Sequence, residues 1–205
     1  MRSRESAKEF QLVAGNTALD LVNTLDNRFH EGGPDELLES YDDLLRFVQQ
    51  AGLLTAAQVR RLRRQTGAEA ERRRALDQVK ELREAVAGVA YALLDAEELP
   101  IHGIATLQEY FHRANAARRL TDDGKRLVWS WPEGEKLSAP LWLLTREGEK
   151  LLLSEQVNRL RFCASDTCRW LFLDTSKNQT RRWCDMKICG NRMKARRYQA
   201  RLAGE

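Results

Sequence analysis

The chain has 205 residues, of which 34 are Lys or Arg and 30 are Asp or Glu, a net charge of +4, with only 4 Pro and 12 Gly. A chain 31% charged and 42% hydrophobic at this length excludes disorder and supports one sizeable core plus a small satellite module, without disulfides. Its most apolar stretches, Ala85 to Leu94 and Ala139 to Leu144, fall short of the ~18 residues of a membrane span, and Arg2 and Arg4 precede no apolar leader. A cytoplasmic protein without a membrane partner is expected.

Asn16 stands where a helix cap is needed, and Leu19, Val22 and Leu25 follow at helical spacing, which predicts a helix over residues 17–28. Asp20, Asn23 and Asp26 are three apart and share one side of it, beside the apolar positions. Such polar groups need partners; a small ligand held by Asp20 and Asn23, interhelical hydrogen bonds or solvent would supply them.

Ser40 with Asp43, and Thr55 with Gln58, resemble capping boxes opening two more helices, the first stopping near Gly52. From Ala68 to Glu98, the spacing of Leu76, Val79, Leu82, Val86, Val89 and Leu93 predicts a long amphipathic helix ended by Pro100. Ile104, Leu107, Phe111 and Ala114 suggest another. Residues 118–121 and 125–131 flank Asp122, Asp123 and Gly124, a hairpin signal, with Leu127, Trp129 and Trp131 on one apolar face expected in the core. Pro140 to Ser154 reads as a helix weakened by Gly148.

No HExxH pair, Gly-rich phosphate loop or Gly-x-Ser-x-Gly elbow occurs, and His30, His102 and His112 lie far apart, so no enzyme is expected; an enzyme with a pocket in the helical body beside Asp20 and Asn23 is the lesser alternative. The run Arg60, Arg61, Arg63, Arg64 reads as a solvated helix face. The fold class is mainly α, with a helical domain over residues 1–154 carrying a small hairpin, and a separate module over residues 155–205.

That module holds 12 Lys or Arg against 5 Asp or Glu, which leaves the first 154 residues slightly acidic. It also contains every cysteine, as two close pairs: Cys163 with Cys168, and Cys184 with Cys189. Two such pairs separated by a loop fit a structural zinc ion in a four-thiolate shell with no open position for catalysis. Disulfides are disfavoured in a reducing compartment, and an iron–sulfur cluster is not suggested by this spacing. Between the pairs, Trp170 to Leu173 reads as a strand and Asp174 to Ser176 as a turn.

Gly190 to Leu202 reads as a helix whose stripe of Ala195, Tyr198 and Leu202 is expected to pack, with its cations outward. Arg182 and Arg192 are expected beside the thiolates. Arg181, Lys194, Arg196, Arg197 and Arg201 are the candidate contacts to nucleic acid. A single exposed helix suits the major groove of DNA; stacking by Trp170, Trp183 and Tyr198 would suit RNA instead. A protein-interaction adaptor is a further alternative, and paired DNA half-sites would call for a homodimer.

Phe172-Leu173-Asp174-Thr175-Ser176, then Arg181-Arg182-Trp183-Cys184, then Cys189-Gly190-Asn191-Arg192 with Lys194 closely resemble the CGNR zinc-finger family over roughly residues 156–201. Gly15-Asn16 and Ala18 to Leu25 with Arg28 are similar to the opening of the ABATE domain. The resemblance implies a stress-responsive transcription regulator with zinc on Cys163, Cys168, Cys184 and Cys189. One departure is Asp185, where a small residue such as Ser is expected.

Overall fold

The computed structural model describes residues 9–65, 69–130 and 136–202; Arg2, Arg4, Ala68 and Trp131 lie outside these. Helix α1 (Thr17–Val22) begins as its sequence predicts, with Asn16 Oδ1 accepting the N–H groups of Ala18 and Leu19. Gly15 precedes it at φ +74°, a conformation that glycine adopts without strain. The helix does not run to residue 28. The Leu21 carbonyl, which a longer helix would offer to Leu25, is taken by the Thr24 N–H and hydroxyl. The chain then turns into β1 (Leu25–Asp26), antiparallel to β2 (Asp35–Glu36).

Both capping boxes form reciprocally, opening α2 (Tyr41–Gln50) and α3 (Ala56–Arg64). Helix α4 (Glu69–Asp95) is the central element, packed against α1, α2, α5 (Ile101–Ala117) and α6 (Ala139–Leu152). Of its predicted stripe, Leu76 to Val89 are buried, and Leu93 at the end is exposed. Arg83 on the same helix is also buried. Its guanidinium meets both Glu36 carboxylate oxygens at 2.8 Å, Glu84 at 2.8 Å and the Thr24 hydroxyl at 3.2 Å, which clamps the β1–β2 hairpin to α4.

The second hairpin forms as predicted, β3 (Arg119–Asp122) against β4 (Leu127–Ser130), with Leu120 opposite Trp129. Its apolar face is not core. No third strand joins the pair among the described residues, so Trp129 stays 47% exposed beneath the Arg118 guanidinium, 4.3 Å from the ring centroid.

A 3-10 turn over Glu155–Arg159, capped by Ser154, leads from α6 into β5 (Leu160–Phe162), antiparallel to β6 (Leu171–Leu173). This ribbon does not stand apart. Leu160, Leu171, Phe172, Leu173 and the buried cysteines belong to the same apolar cluster as the helices. A π-helical turn, Met186–Gly190, then runs into α7 (Asn191–Leu202). The expected packing of the α7 stripe is absent: none of its residues is buried, and Tyr198 and Leu202 are 65% and 71% exposed. Its chief contact is the turn before it, and among the described residues no element packs broadly over the stripe. Among the described residues no helix is long and apolar enough to cross a membrane.

Candidate metal centre and basic helix

The four cysteines come from three pieces of backbone. Cys163 directly follows β5, with its N–H donated to the Trp170 carbonyl at 2.8 Å, and Cys168 closes the knuckle through its N–H to the Ser165 carbonyl at 3.0 Å. Cys184 precedes the π-helical turn and Cys189 lies within it. Asp185 starts that turn: its carboxylate accepts the N–H groups of Lys187 and Ile188, which is the work of a capping Ser, so the departure from the family pattern has a local role. Gly190 is buried where a Cβ would meet the Met186 sulfur and, at 3.2 Å, the Trp183 ring.

This backbone brings all four sulfurs within 4.8 Å of one another, with Cys168–Cys184 at 3.7 Å and Cys184–Cys189 at 3.6 Å. Tetrahedral zinc with bonds of about 2.3 Å puts its sulfurs about 3.8 Å apart, so the quartet fits one zinc ion. Two further observations agree. The buried hydroxyls of Ser165 and Thr167, in the knuckle between Cys163 and Cys168, have no protein partner and can donate to thiolates. Packed this closely, the thiols also compete for protons. Hydrogen bonds from Cys168 and Cys184 hold the Cys163 thiol far below the ordinary range, while the bond to Cys163 pushes Cys168 and Cys184 up. A divalent cation removes that conflict.

Arg169, next to Cys168, holds the knuckle in place. It adopts φ +53°, unusual for a side chain of its size, and is fixed there by Phe162 and Phe29 at 4.6 and 4.9 Å and by an ion pair to Asp95 at 3.0 Å. The Tyr91 hydroxyl donates to its carbonyl at 3.0 Å. Asp174 is a second hub, buried, accepting the Ser176 N–H and hydroxyl on one oxygen and the Arg181 N–H on the other. Burial alone would raise its pKa, but these bonds outweigh it and hold the carboxyl below its usual value. The turn at Asp174 is legible locally; the capture of Arg181 is not, because it depends on chain returning seven residues later.

The side chains expected to hold a ligand are occupied by the chain itself. Asn23 Oδ1 accepts the Leu171 N–H and its Nδ2 donates to the Leu171 carbonyl, both at 2.9 Å. Asp20 accepts the Ala14 N–H at 2.9 Å, and Asp26 accepts the Trp170 indole N–H at 2.7 Å. One face of α1 and β1 is thus the seat of the cysteine ribbon.

The cations divide likewise. The Arg181 guanidinium donates to the carbonyls of Trp183, Val13 and Cys184 and lies 4.4 Å from the Phe172 ring centroid. It staples the module internally, with most of its donors committed to backbone carbonyls. Arg192 lines the cleft beside Cys168, Cys184 and Cys189. Arg182 joins the knuckle through its carbonyl, which accepts the Ala164 N–H, while its guanidinium stacks over Trp183 at 5.4 Å. Lys194, Arg196, Arg197 and Arg201 are all exposed on α7.

A family model described as "CGNR zinc finger" matches residues 159–202, and one described as ABATE, "Putative stress-induced transcription regulator", matches residues 15–155, more than half of the chain. The chain belongs to the ABATE family. No curated protein matches it. In this ABATE protein the matched segments meet at the turn after α6, and the CGNR tetrapeptide joins the end of the π-helical turn to the start of α7: Cys189 and the buried Gly190, then Asn191 and Arg192, the last beside the thiolates. The module is a zinc finger, and its four cysteines lie close enough to hold the ion.

Proposed function

We propose that this ABATE protein is a zinc-dependent regulator that binds duplex DNA through α7 and acts by binding alone, without catalysis. The observation that carries this reading is the exposure of α7. A helix of twelve residues carries Lys194, Arg196, Arg197 and Arg201 into solvent and is anchored at one end to the cysteine quartet. Such a helix is rigidly aimed at its root and unencumbered along its length, which suits a phosphate backbone and the major groove. The exposed Tyr198 and Leu202 are then free to lie against the sugar–phosphate edge or a second copy of the chain.

RNA is less well supported. Trp170 is buried with its indole N–H committed to Asp26, and Trp183 is half-buried, which leaves Tyr198 as the exposed ring of the three. The helical body supplies the sensing function, through a small-molecule effector.

Retention of random-sequence duplex DNA measured against salt tests this reading. The logarithm of the association constant is expected to fall steeply with the logarithm of salt concentration, with a slope shallower by about 2 in the R196A/R197A variant. An unchanged slope would refute the contacts assigned to α7, and preferential retention of single-stranded RNA would favour the other polymer.

A further inference from the structure

The groove between α4, α5 and α6 encloses about 490 Å³, walled by Val89, Ile104, Phe111 and Leu153. Ligand sites for small molecules lie in this range, and they pair apolar walls with a few polar groups. Ile104 and Leu153 are 42% and 74% exposed where they border the buried Val89 and Leu107. Water against these side chains is displaced favourably by an apolar occupant.

The polar lining selects the occupant: it joins the Glu149 carboxylate to the amides of Gln108 and Asn115 and to the His112 imidazole, whose unprotonated ring nitrogen can accept a hydrogen bond from an ammonium. Glu149 on α6 accepts a hydrogen bond from Asn115 Nδ2 at 2.7 Å through one carboxylate oxygen. Its other oxygen has no partner, and no cation pairs with it, among the described residues. Glu147, two positions earlier, is neutralised by Lys150 at 2.7 Å, so the same helix treats its two acids differently. A half-buried carboxylate beside apolar walls is complementary to a cationic head on an apolar body and repels a carboxylate ligand.

We propose that this groove binds a small aromatic or aliphatic amine, with its ammonium on Glu149 and its apolar part against Val89, Ile104, Phe111 and Leu153. The proposal rests on the reading of the body as a sensor and gives that sensor a site, distinct from Asp20 and Asn23. It also gives the site a route outward. Leu153 caps α6, Ser154 caps the following 3-10 turn, and the Arg159 carbonyl at the end of that turn accepts the Asp174 N–H at 2.8 Å. An occupant that shifts the last turn of α6 therefore pulls on the ribbon holding the cysteines.

The test is a titration of the full, zinc-loaded chain with 2-phenylethylamine, followed by amide chemical shifts, with 3-phenylpropanoate as the anionic control. Shifts centred on Val89, Ile104, Phe111 and Leu153 are expected with the amine and not with the acid. E149Q keeps the acceptor for Asn115, and it is expected to weaken amine binding roughly tenfold or more while leaving the free spectrum unchanged elsewhere. Equal affinity in E149Q, equal response to both probes, or no shift in the groove at millimolar amine would overturn the proposal. DNA retention on the same samples separates the two readings. Amine binding without DNA binding leaves the groove standing and sinks the regulator, whereas DNA binding without amine binding does the reverse.

Discussion

Asp20 shows how one side chain changes meaning with its surroundings. In the sequence it is an acid on the polar edge of a short helix; in the fold it is 8% exposed and accepts the Ala14 N–H. Burial raises its pKa to about 6, against the smaller lowering effect of the backbone bonds from Ala14 and Val13. A carboxyl whose folded pKa lies above its unfolded value of 3.8 binds more protons in the native state, so its contribution to stability declines as pH rises from about 4 to 6. The loss is on the order of 2–3 kcal/mol. Denaturant unfolding of the parent and D20N across that interval is the check. The variant is expected to lack this decline, and parallel profiles would show that Asp20 does not titrate there. Glu36 and Glu84, whose pKa values are lowered, act in the opposite sense below pH 4.5, where their stabilising contribution is lost, and they cancel in the comparison.

At the scale of elements, the capped helices and the unpredicted β1–β2 hairpin form a contrast. Local signals such as Ser40 with Asp43 and Thr55 with Gln58 suffice for α2 and α3, because a capping box is made by residues three apart. A pair of two-residue strands has no such signal and is marginal on its own. It persists because Arg83, 4% exposed at its side chain, reaches across from α4 to Glu36. Replacing Arg83 with Ala removes the bidentate partner of Glu36 and leaves it only the Lys80 ammonium at 3.4 Å, and is expected to cost about 2–3 kcal/mol in denaturant unfolding. A loss below about 1 kcal/mol would mean that solvent already satisfies Glu36. Helix α7 is the opposite case. Its boundaries follow from composition, but its free apolar stripe could not be anticipated, since amphipathic spacing says which residues share a face and not whether anything lies opposite.

For the molecule as a whole, the cysteine quartet is part of the main core and not an appendage. Trp170, Leu171, Phe172 and three cysteines lie in the cluster that contains Leu19, Leu82 and Leu144. Asn23 and Asp26 tie the ribbon to α1 and β1 across 148 and 144 residues of sequence. Metal binding is therefore expected to contribute to the folding of both matched segments, not only to that of residues 159–202. Removal of zinc by a chelator is expected to lower the unfolding temperature of the entire chain in one cooperative transition, with loss of near-ultraviolet signal from Trp142 in the helical body as well as from Trp170. A Trp142 environment that survives chelation, with only the tail unfolding, would show two independent units. Metal content measured alongside should be one zinc per chain.

The sequence by itself determined the cysteine quartet and its likeness to a zinc finger, the capped helices, the long α4 stripe, the β3–β4 turn and the cationic C-terminus, because each is written in residues a few positions apart. Only the tertiary structure decided what the polar residues serve. Asp20, Asn23 and Asp26 hydrogen-bond to the chain itself, the Arg181 guanidinium donates to carbonyls, Arg83 is buried, and Tyr198 and Leu202 on α7 are exposed. The partners of Asn23, Asp26 and Arg181 include groups more than a hundred residues away, and such partners leave no periodic trace in the local pattern.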